Sequence, residues 1–184
     1  MEKLTATRRP DRAVSDEAWL KDFLRRAGFG TLATVRDGQP FANINLFVYD
    51  EAAHSIYLHT AAQGRTRANL EQDERVCFSA GEMGRLLPAD TALEFSVEYA
   101  SVVVFGRGAV VPDKEEARRA LQLLLDKYAP HLRPGRDYRA ITDDELARTA
   151  VYRVRIDHWS GKRKQERPDF PGAFVYDPGS DLRG

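Results

Sequence analysis

Residues 55–70, SIYLHTAAQGRTRANL, hold the densest set of side chains able to do chemistry. Ile56 and Leu58 alternate with Tyr57 and His59, the period of a strand. The run breaks at Gly64 and sets Arg65 and Arg67 at the mouth of a short helix. Free amides at a helix N-terminus and guanidinium forks both suit a phosphate dianion, and Gly64 lets a ligand approach the backbone. The same residues also suit a solvated basic turn. A P-loop is excluded, because the sequence has no GxxxxGK[ST] run. His59, at the strand end, is either a structural hydrogen-bonding residue or a proton-transfer group with a pKa near neutrality.

A second unusual stretch is HWSGKRK, residues 158–164. Trp159 beside Lys162 offers an aromatic plane and a cation, which either cover a planar anionic ligand or close the end of a barrel. His54, His131 and His158 show no metal-ligand spacing with His59. Asp143 and Asp144 fall in the first turn of a helix, where acids suit the dipole, so they do not read as a catalytic pair. FGRG at 105–108 lacks the third glycine and the strand-to-helix context of a dinucleotide fingerprint. The one cysteine, Cys77, sits in VCFSA and reads as a small core residue; alone it excludes disulfide frameworks and Cys-rich zinc modules.

These side chains need elements to hold them. Ser15 caps a helix whose face carries Trp19, Leu20, Phe23, Leu24 and Ala27, with Gly28 at its end. FGTLATV is a strand, Asp37-Gly38 a hairpin turn, and FANINLFVYD the return strand, which with SIYLHT forms a meander. RVCFSA is a fourth strand and GEMGRLLPADTA a loop. LEFSVEYASVVVFGRGAVV is too long for one straight strand; a bend or bulge is expected at 99–101, giving two strands or one sharply coiled strand. DKEEARRALQLLLDKYA is a helix with an apolar stripe from Ala117 to Tyr128. TDDELARTA is a short helix with a Thr142/Glu145 capping box, and VYRVRIDHW is the last strand. Strands in hairpin order with helices inserted late predict a mainly β protein, an antiparallel β-barrel with peripheral helices, rather than a parallel nucleotide-binding sheet.

The 184 residues suit a single domain over 1–162 followed by a charged, Pro/Gly-rich tail over 163–184. Hydrophobic residues make up 42% and charged residues 30%, an ordinary globular balance. Lys+Arg and Asp+Glu each number 28, so no global field favours nucleic acid or an anionic membrane. No apolar run reaches the roughly 20 residues of a membrane helix, and the N-terminus lacks the apolar core of a secretory signal. A soluble cytoplasmic protein is expected, with no nucleic-acid or membrane partner.

Taken in order, FGTLATVRDGQPFANINLFVYD, SIYLHTAAQGRTRANL, VCFSA, EYASVVVFGRGAVV and IDHWSGK resemble the pyridoxamine-phosphate-oxidase-like flavoproteins. The likeness is greater to their nitroimidazole-resistance branch, where a histidine at the His59 position is typical, and it runs from about Phe29 to Lys162. The resemblance implies an FMN-binding split β-barrel, a homodimer with its cofactor sites at the interface. It implies that His59, Thr60 and Ala61 border the flavin and that Arg65 and Arg67 hold its 5′-phosphate, assisted by Asn69. Asn43 and Asn45 fall on the strand that contacts the ring. Tyr99 and Ser101 match a segment closing the phosphate or ribityl side, and Trp159 and Lys162 match a terminal motif that reaches the flavin. The arginine- and histidine-containing substrate motif of true pyridoxamine-phosphate oxidases is absent from ERPDFPGAFVYDPGSDLRG, so pyridoxal-phosphate synthesis is not expected.

The implied activity is that of an FMN-dependent oxidoreductase passing electrons from NAD(P)H to a small aromatic acceptor of nitroimidazole or quinone type. In it His59 orients substrate or donates a proton, and Lys162 supplies charge near the flavin. FAD, a deazaflavin or heme are alternative cofactors, and a non-catalytic flavin- or heme-binding carrier or sensor is the alternative function.

Overall fold

The computed structural model describes residues 4–179; the first three residues and the last five, which end the expected tail, lie outside the described residues. A short strand β1 (Ala13–Val14) precedes helix α1 (Glu17–Arg26). Then come β2 (Gly30–Arg36), β3 (Gln39–Asn45), β4 (Val48–Asp50), β5 (Ser55–Ala61), α2 (Arg65–Gln72) and β6 (Arg75–Leu87). The chain continues through β7 (Ser96–Val110), α3 (Lys114–Tyr128), α4 (Asp143–Ala147), β8 (Thr149–Lys164) and β9 (Phe174–Val175). The main strands pair antiparallel in the order β3-β2-β6-β7-β8-β5-β4, with β1 added to β8 and β9 to β6. The two ends of that path, β3 and β4, are consecutive in sequence, so the sheet curls into a nearly closed barrel with its helices outside or plugging one end.

The interior forms where one face of α1 meets the inner face of the sheet. Leu20, Phe23 and Leu24 pack with Phe47, Ile56, Leu58, Phe78, Val102, Val104, Tyr152 and Val154, all essentially inaccessible to solvent. Each such side chain contributes about 1.5–3 kcal/mol by leaving water. A second layer covers the outer face, where Ala117, Ala120 and Leu124 of α3 and Leu146 of α4 pack on Val48, Tyr57 and Val151.

Several elements differ from the sequence expectation. The cap of α1 is Asp16, whose carboxylate accepts from the Ala18 amide at 2.9 Å, rather than Ser15. FANINLFVYD is two strands: β3 pairs with β2, whereas β4 pairs with β5. The backbone leaves the ladder at Leu46–Phe47 because Phe47 turns into the core, edge-on to Phe78 at 4.8 Å. Side chains of α3 replace the lost ladder bonds. The Phe47 amide donates to the Tyr128 hydroxyl at 3.1 Å, and Lys127 donates to the Phe47 carbonyl at 3.0 Å. The segment expected as a loop after Ala80 continues β6 as far as Leu87. β7 is a single strand; its ladder with β6 is irregular between Met83 and Leu86, opposite Val97–Tyr99, and its ladder with β8 shifts where Phe105 faces His158 and Gly106 faces Ile156, leaving Asp157 as the extra residue. At Gly106 the strands approach so closely that a Cβ would lie 2.0 Å from the Arg155 carbonyl oxygen. β8 also runs beyond Lys162 to Lys164, and Phe174–Val175 return to pair with β6, so the charged C-terminal segment is attached to the sheet.

Other expectations agree with the structure. Asp37 and Gly38 both adopt positive φ at the β2–β3 turn. α3 spans Lys114–Tyr128 from an Asp113 cap, and α4 carries the Thr142/Glu145 capping box.

Candidate functional site

The residues expected to act together fall into three places. The first is the inner face of β3 where α2 crosses it. Phe41, Asn43 and Asn45 alternate onto the face that Leu32 and Gly30 present on β2, with Asn43 opposite Leu32 and Asn45 opposite Gly30. Thr66, Asn69 and Leu70, at helical spacing, are the buried face of α2. The Asn43 amide donates to the Thr66 hydroxyl at 3.1 Å, and Asn69 donates to the Thr34 hydroxyl at 2.8 Å, so two hydrogen bonds lock α2 onto the β2–β3 hairpin. Gly64 begins the helix at φ 156° and ψ 175°, a region essentially confined to glycine, and turns the chain from β5 into α2.

At the mouth of this junction a cleft of about 330 Å³ is lined by Arg36, Gln39, Phe41, Arg65 and Asn69. The Arg65 guanidinium lies 5.3 Å from the Phe41 ring centre and takes part in no ion pair or hydrogen bond among the described residues. The first amides of α2 have no partner within the helix. Arg67 differs: it donates to Glu71 at 2.8 Å and to the Ala62 carbonyl at 3.0 Å. On the strand below, Nδ2 of Asn45 is the one buried side-chain polar atom among the described residues without a hydrogen-bond partner. A free guanidinium, free amides, an exposed aromatic face and an orphaned amide donor form a set that a phosphorylated, carbonyl-bearing heterocycle satisfies. A flavin nucleotide fits this donor set.

The second place is on the opposite face of β5. Leu58 belongs to the interior and Tyr57 to the outer layer, so alternation sends Thr60 inward and His59 outward. The Thr60 hydroxyl accordingly lies 2.9 Å from that of buried Tyr152. His59 enters a separate cleft of about 570 Å³ between the strand ends, α3, α4 and the connection joining the helices. Its ring is exposed in the single chain, and burial on the cleft side lowers its pKa from the ordinary histidine value. Ala61, the last residue of β5, is exposed.

The third place is the far end of the β7–β8 ladder. Ser101 pairs with Lys162 and Tyr99 with Lys164. Arg12 donates to the Tyr99 hydroxyl at 3.5 Å, and Trp159 stands edge-on to His54 at 4.9 Å and 6.0 Å from Tyr49. His59 pairs with Val151, so reaching Lys162 takes roughly 35 Å of extended strand along β8. Within one chain Lys162 therefore stands far from His59 along β8. Lys162 is exposed and has no ion-pair partner among the described residues.

Phe41, Thr66, Tyr152 and the walls of the His59 cleft were not singled out from the sequence. Thr66 was legible, since Thr66, Asn69 and Leu70 follow the i, i+3, i+4 rule, and Phe41 alternates with the two asparagines. The His59 cleft had no local signal, because its walls come from elements far apart in the chain. Among the described residues no group of three His, Cys, Asp or Glu is placed to hold a metal ion, and no helix is long and apolar enough to cross a membrane.

A curled antiparallel barrel with an anion-suited cleft at a strand–helix junction defines the split-barrel class of flavoproteins. The chain belongs to the pyridoxamine 5′-phosphate oxidase family, whose model matches residues 16–163. Among solved structures it is similar to the flavocytochrome Anf3 from Azotobacter vinelandii, at 22% identity and TM-score 0.77 over 97% of this chain and 88% of that one. It is also similar to the FAD and heme binding protein from Mycobacterium smegmatis, at 27% identity and TM-score 0.75 over 86% and 76% of the two chains. A protein assigned to 5-nitroimidazole antibiotic resistance in Bacteroides thetaiotaomicron matches at 20% identity and TM-score 0.68 over 82% and 86%. No curated protein sequence matches the chain.

Proposed function

We propose that the protein is a flavin-dependent oxidoreductase that takes FMN in the Arg65 cleft and acts as a homodimer. The observation that carries this is the pairing of an uncommitted Arg65 guanidinium over Phe41 with the orphaned Nδ2 of Asn45 on the same strand face. Arg65 and the α2 amides hold the phosphate, and Asn45 donates to a carbonyl on the ring system. Arg67 braces the turn through Ala62, so its contribution is to shape. Bound there, the flavin supplies two-electron redox chemistry between NAD(P)H and a small aromatic acceptor of nitro or quinone type.

Lys162 lies roughly 35 Å along β8 from the level of His59, and in this reading the homodimer brings Lys162 and Trp159 to the cleft from the second copy. The unpaired edge of β3 and exposed Ile44, at 69% accessibility, are consistent with that association. From the partner, Lys162 places a cation where negative charge develops on the reduced ring.

The test is titration of purified protein with FMN and with FAD, followed by NADPH oxidation with and without a nitroaromatic. Saturable FMN binding that Arg65→Ala weakens, with acceptor-dependent NADPH oxidation, supports the proposal. Binding without turnover reduces the protein to a flavin carrier; no binding of either flavin overturns the cofactor assignment.

A further inference from the structure

The outer face of the sheet carries a row of like charges that the flavin proposal leaves unused. Arg75 of β6, Arg107 of β7 and Arg155 of β8 stand directly opposite one another across three neighbouring strands. Side chains so placed are about 5 Å apart at Cβ, and like charges there destabilise a sheet. Arg153 lies two residues along β8 on the same exposed face, opposite Ala109. Arg107, Arg153 and Arg155 line a cleft of about 390 Å³ together with Glu74 and Ala109. Their donors are only partly used. Arg107 gives Nη1 to Glu74, Arg153 gives Nη1 to Glu116 at 2.8 Å, and Arg155 donates no hydrogen bond among the described residues. Asp157, the extra residue in β8, stands 3.5 Å from Arg107 and 3.3 Å from Arg155, longer than the roughly 2.7–2.9 Å of a charge-assisted hydrogen bond. Arg75 pairs with Asp73 at 2.6 Å and does not line the cleft.

We propose that this cleft binds a diphosphate group. Guanidinium forks match phosphate oxygens two at a time, and most of the donors on these three arginines are open. The four positions make a square on the sheet, with arginine at three corners and Ala109 at the fourth, where a larger side chain would fill the cleft. One phosphate engages Arg107 and Arg155, about 5 Å apart across the strands. Arg153, roughly 7 Å along β8 from Arg155, needs a second anionic group joined to the first. Among the described residues no aromatic side chain lines the cleft, so nothing there stacks on a base and recognition rests on the phosphates. Glu74 occupies Arg107 in the free protein, but both side chains are half-exposed, so water receives the carboxylate when an anion takes its place. The site is independent of the flavin cleft, since the two share no lining residue.

The experiment titrates pyrophosphate into the full chain by isothermal calorimetry at fixed ionic strength, beside inorganic phosphate. Saturation at one pyrophosphate per chain, about tenfold or more tighter than phosphate, is the expected result. Arg153→Gln and Arg155→Gln each weaken it about tenfold, whereas Arg136→Gln, which removes the same charge from the exposed connection between α3 and α4, does not. Glu74→Gln strengthens binding severalfold because Arg107 is released, a gain that a purely structural role for Glu74 does not produce. Matching far-UV circular dichroism shows that the variants are folded. Arg65→Ala leaves pyrophosphate binding intact and Arg155→Gln leaves FMN titration intact, which keeps this test separate from that of the flavin proposal. ADP bound as tightly as pyrophosphate extends the site to diphosphates carried on a nucleoside; exclusion of ADP restricts it to free diphosphate. The proposal is overturned if pyrophosphate binds no tighter than phosphate, or if Glu74→Gln brings no gain. It is likewise overturned if Arg136→Gln weakens binding as much as Arg155→Gln, which leaves net charge alone, or if Arg65→Ala abolishes it, which moves the anion to the other cleft.

Discussion

Arg65 and Arg67 carry the same charge two residues apart, yet their removal has different expected consequences. Arg65 makes no ion pair or hydrogen bond among the described residues, only a contact with the Phe41 ring at 5.3 Å, so Arg65→Ala shifts the melting temperature little. It weakens FMN binding by about 1.5–3 kcal/mol, roughly 10- to 150-fold, the range of a charged hydrogen bond. Arg67→Ala removes an ion pair to Glu71 and a bond to the Ala62 carbonyl, so it lowers the melting temperature slightly and affects binding second. Isothermal titration with FMN and a thermal melt on each variant separate the two. Glu98 allows a pH test at the same scale. The Arg85 guanidinium, and after it the Glu166 amide, hold its carboxyl down to about 2. Its folded pKa lies below the unfolded value of about 4.3, so the stabilisation is complete above that value and is lost as pH falls from there toward 2. Acid unfolding of Glu98→Gln therefore shows a shallower loss of stability across that window than the wild type. Both arginines were visible in the sequence. Which of them was free was not, because Glu71 and Ala62 compete for Arg67 only once α2 is wound.

Elements decide where those residues point, and two contacts between elements can be tested. Lys127 donates to the carbonyls of Leu24, Ala27 and Phe47, at 3.3, 2.8 and 3.0 Å, and so ties α3 to the end of α1 and to the break between β3 and β4. Lys127→Met removes the side-chain donor to the Leu24 and Ala27 carbonyls, while Phe47 keeps its bond from the Tyr128 hydroxyl; about 1.5–3 kcal/mol is the expected cost, read by urea denaturation. Gly106→Ala forces β7 and β8 apart, since the new methyl meets backbone that cannot rotate away; about 1–3 kcal/mol of destabilisation is expected by the same measurement. α3, α4 and the β2–β3 turn were legible because caps, apolar stripes and turn dipeptides are local. The β3–β4 break was not, because FANINLFVYD contains no breaker and its interruption comes from side chains of α3 some 80 positions later. The 81–87 segment misled for the opposite reason: two glycines suggested a loop, but pairing with β7 overrides that preference.

At the scale of the whole molecule, the barrel class followed from the order of the strands, whereas the distance between the two ends of β8 did not. Residue types at His59, Arg65, Trp159 and Lys162 are all suited to a flavin; the register places His59 and Lys162 roughly 35 Å apart along β8. The homodimer proposal makes a complementation prediction. Arg65→Ala and Lys162→Ala homodimers are each impaired, but after mixing and subunit exchange the heterodimers contain one intact cleft, and NADPH oxidation partly returns. Activity that stays at the level of the parents sinks the shared site.

The pairing of β1 with Gly161 and Lys162, and of β9 with Arg85 and Leu86, gathers both described ends of the chain at one pole of the barrel. The helix-walled cleft beside Thr149 opens at the other. Tethering the protein to a sensor surface through either terminus should leave that opening turned toward the flowing solution. Binding of an apolar dye there can then be followed on immobilised protein without the attachment obstructing it.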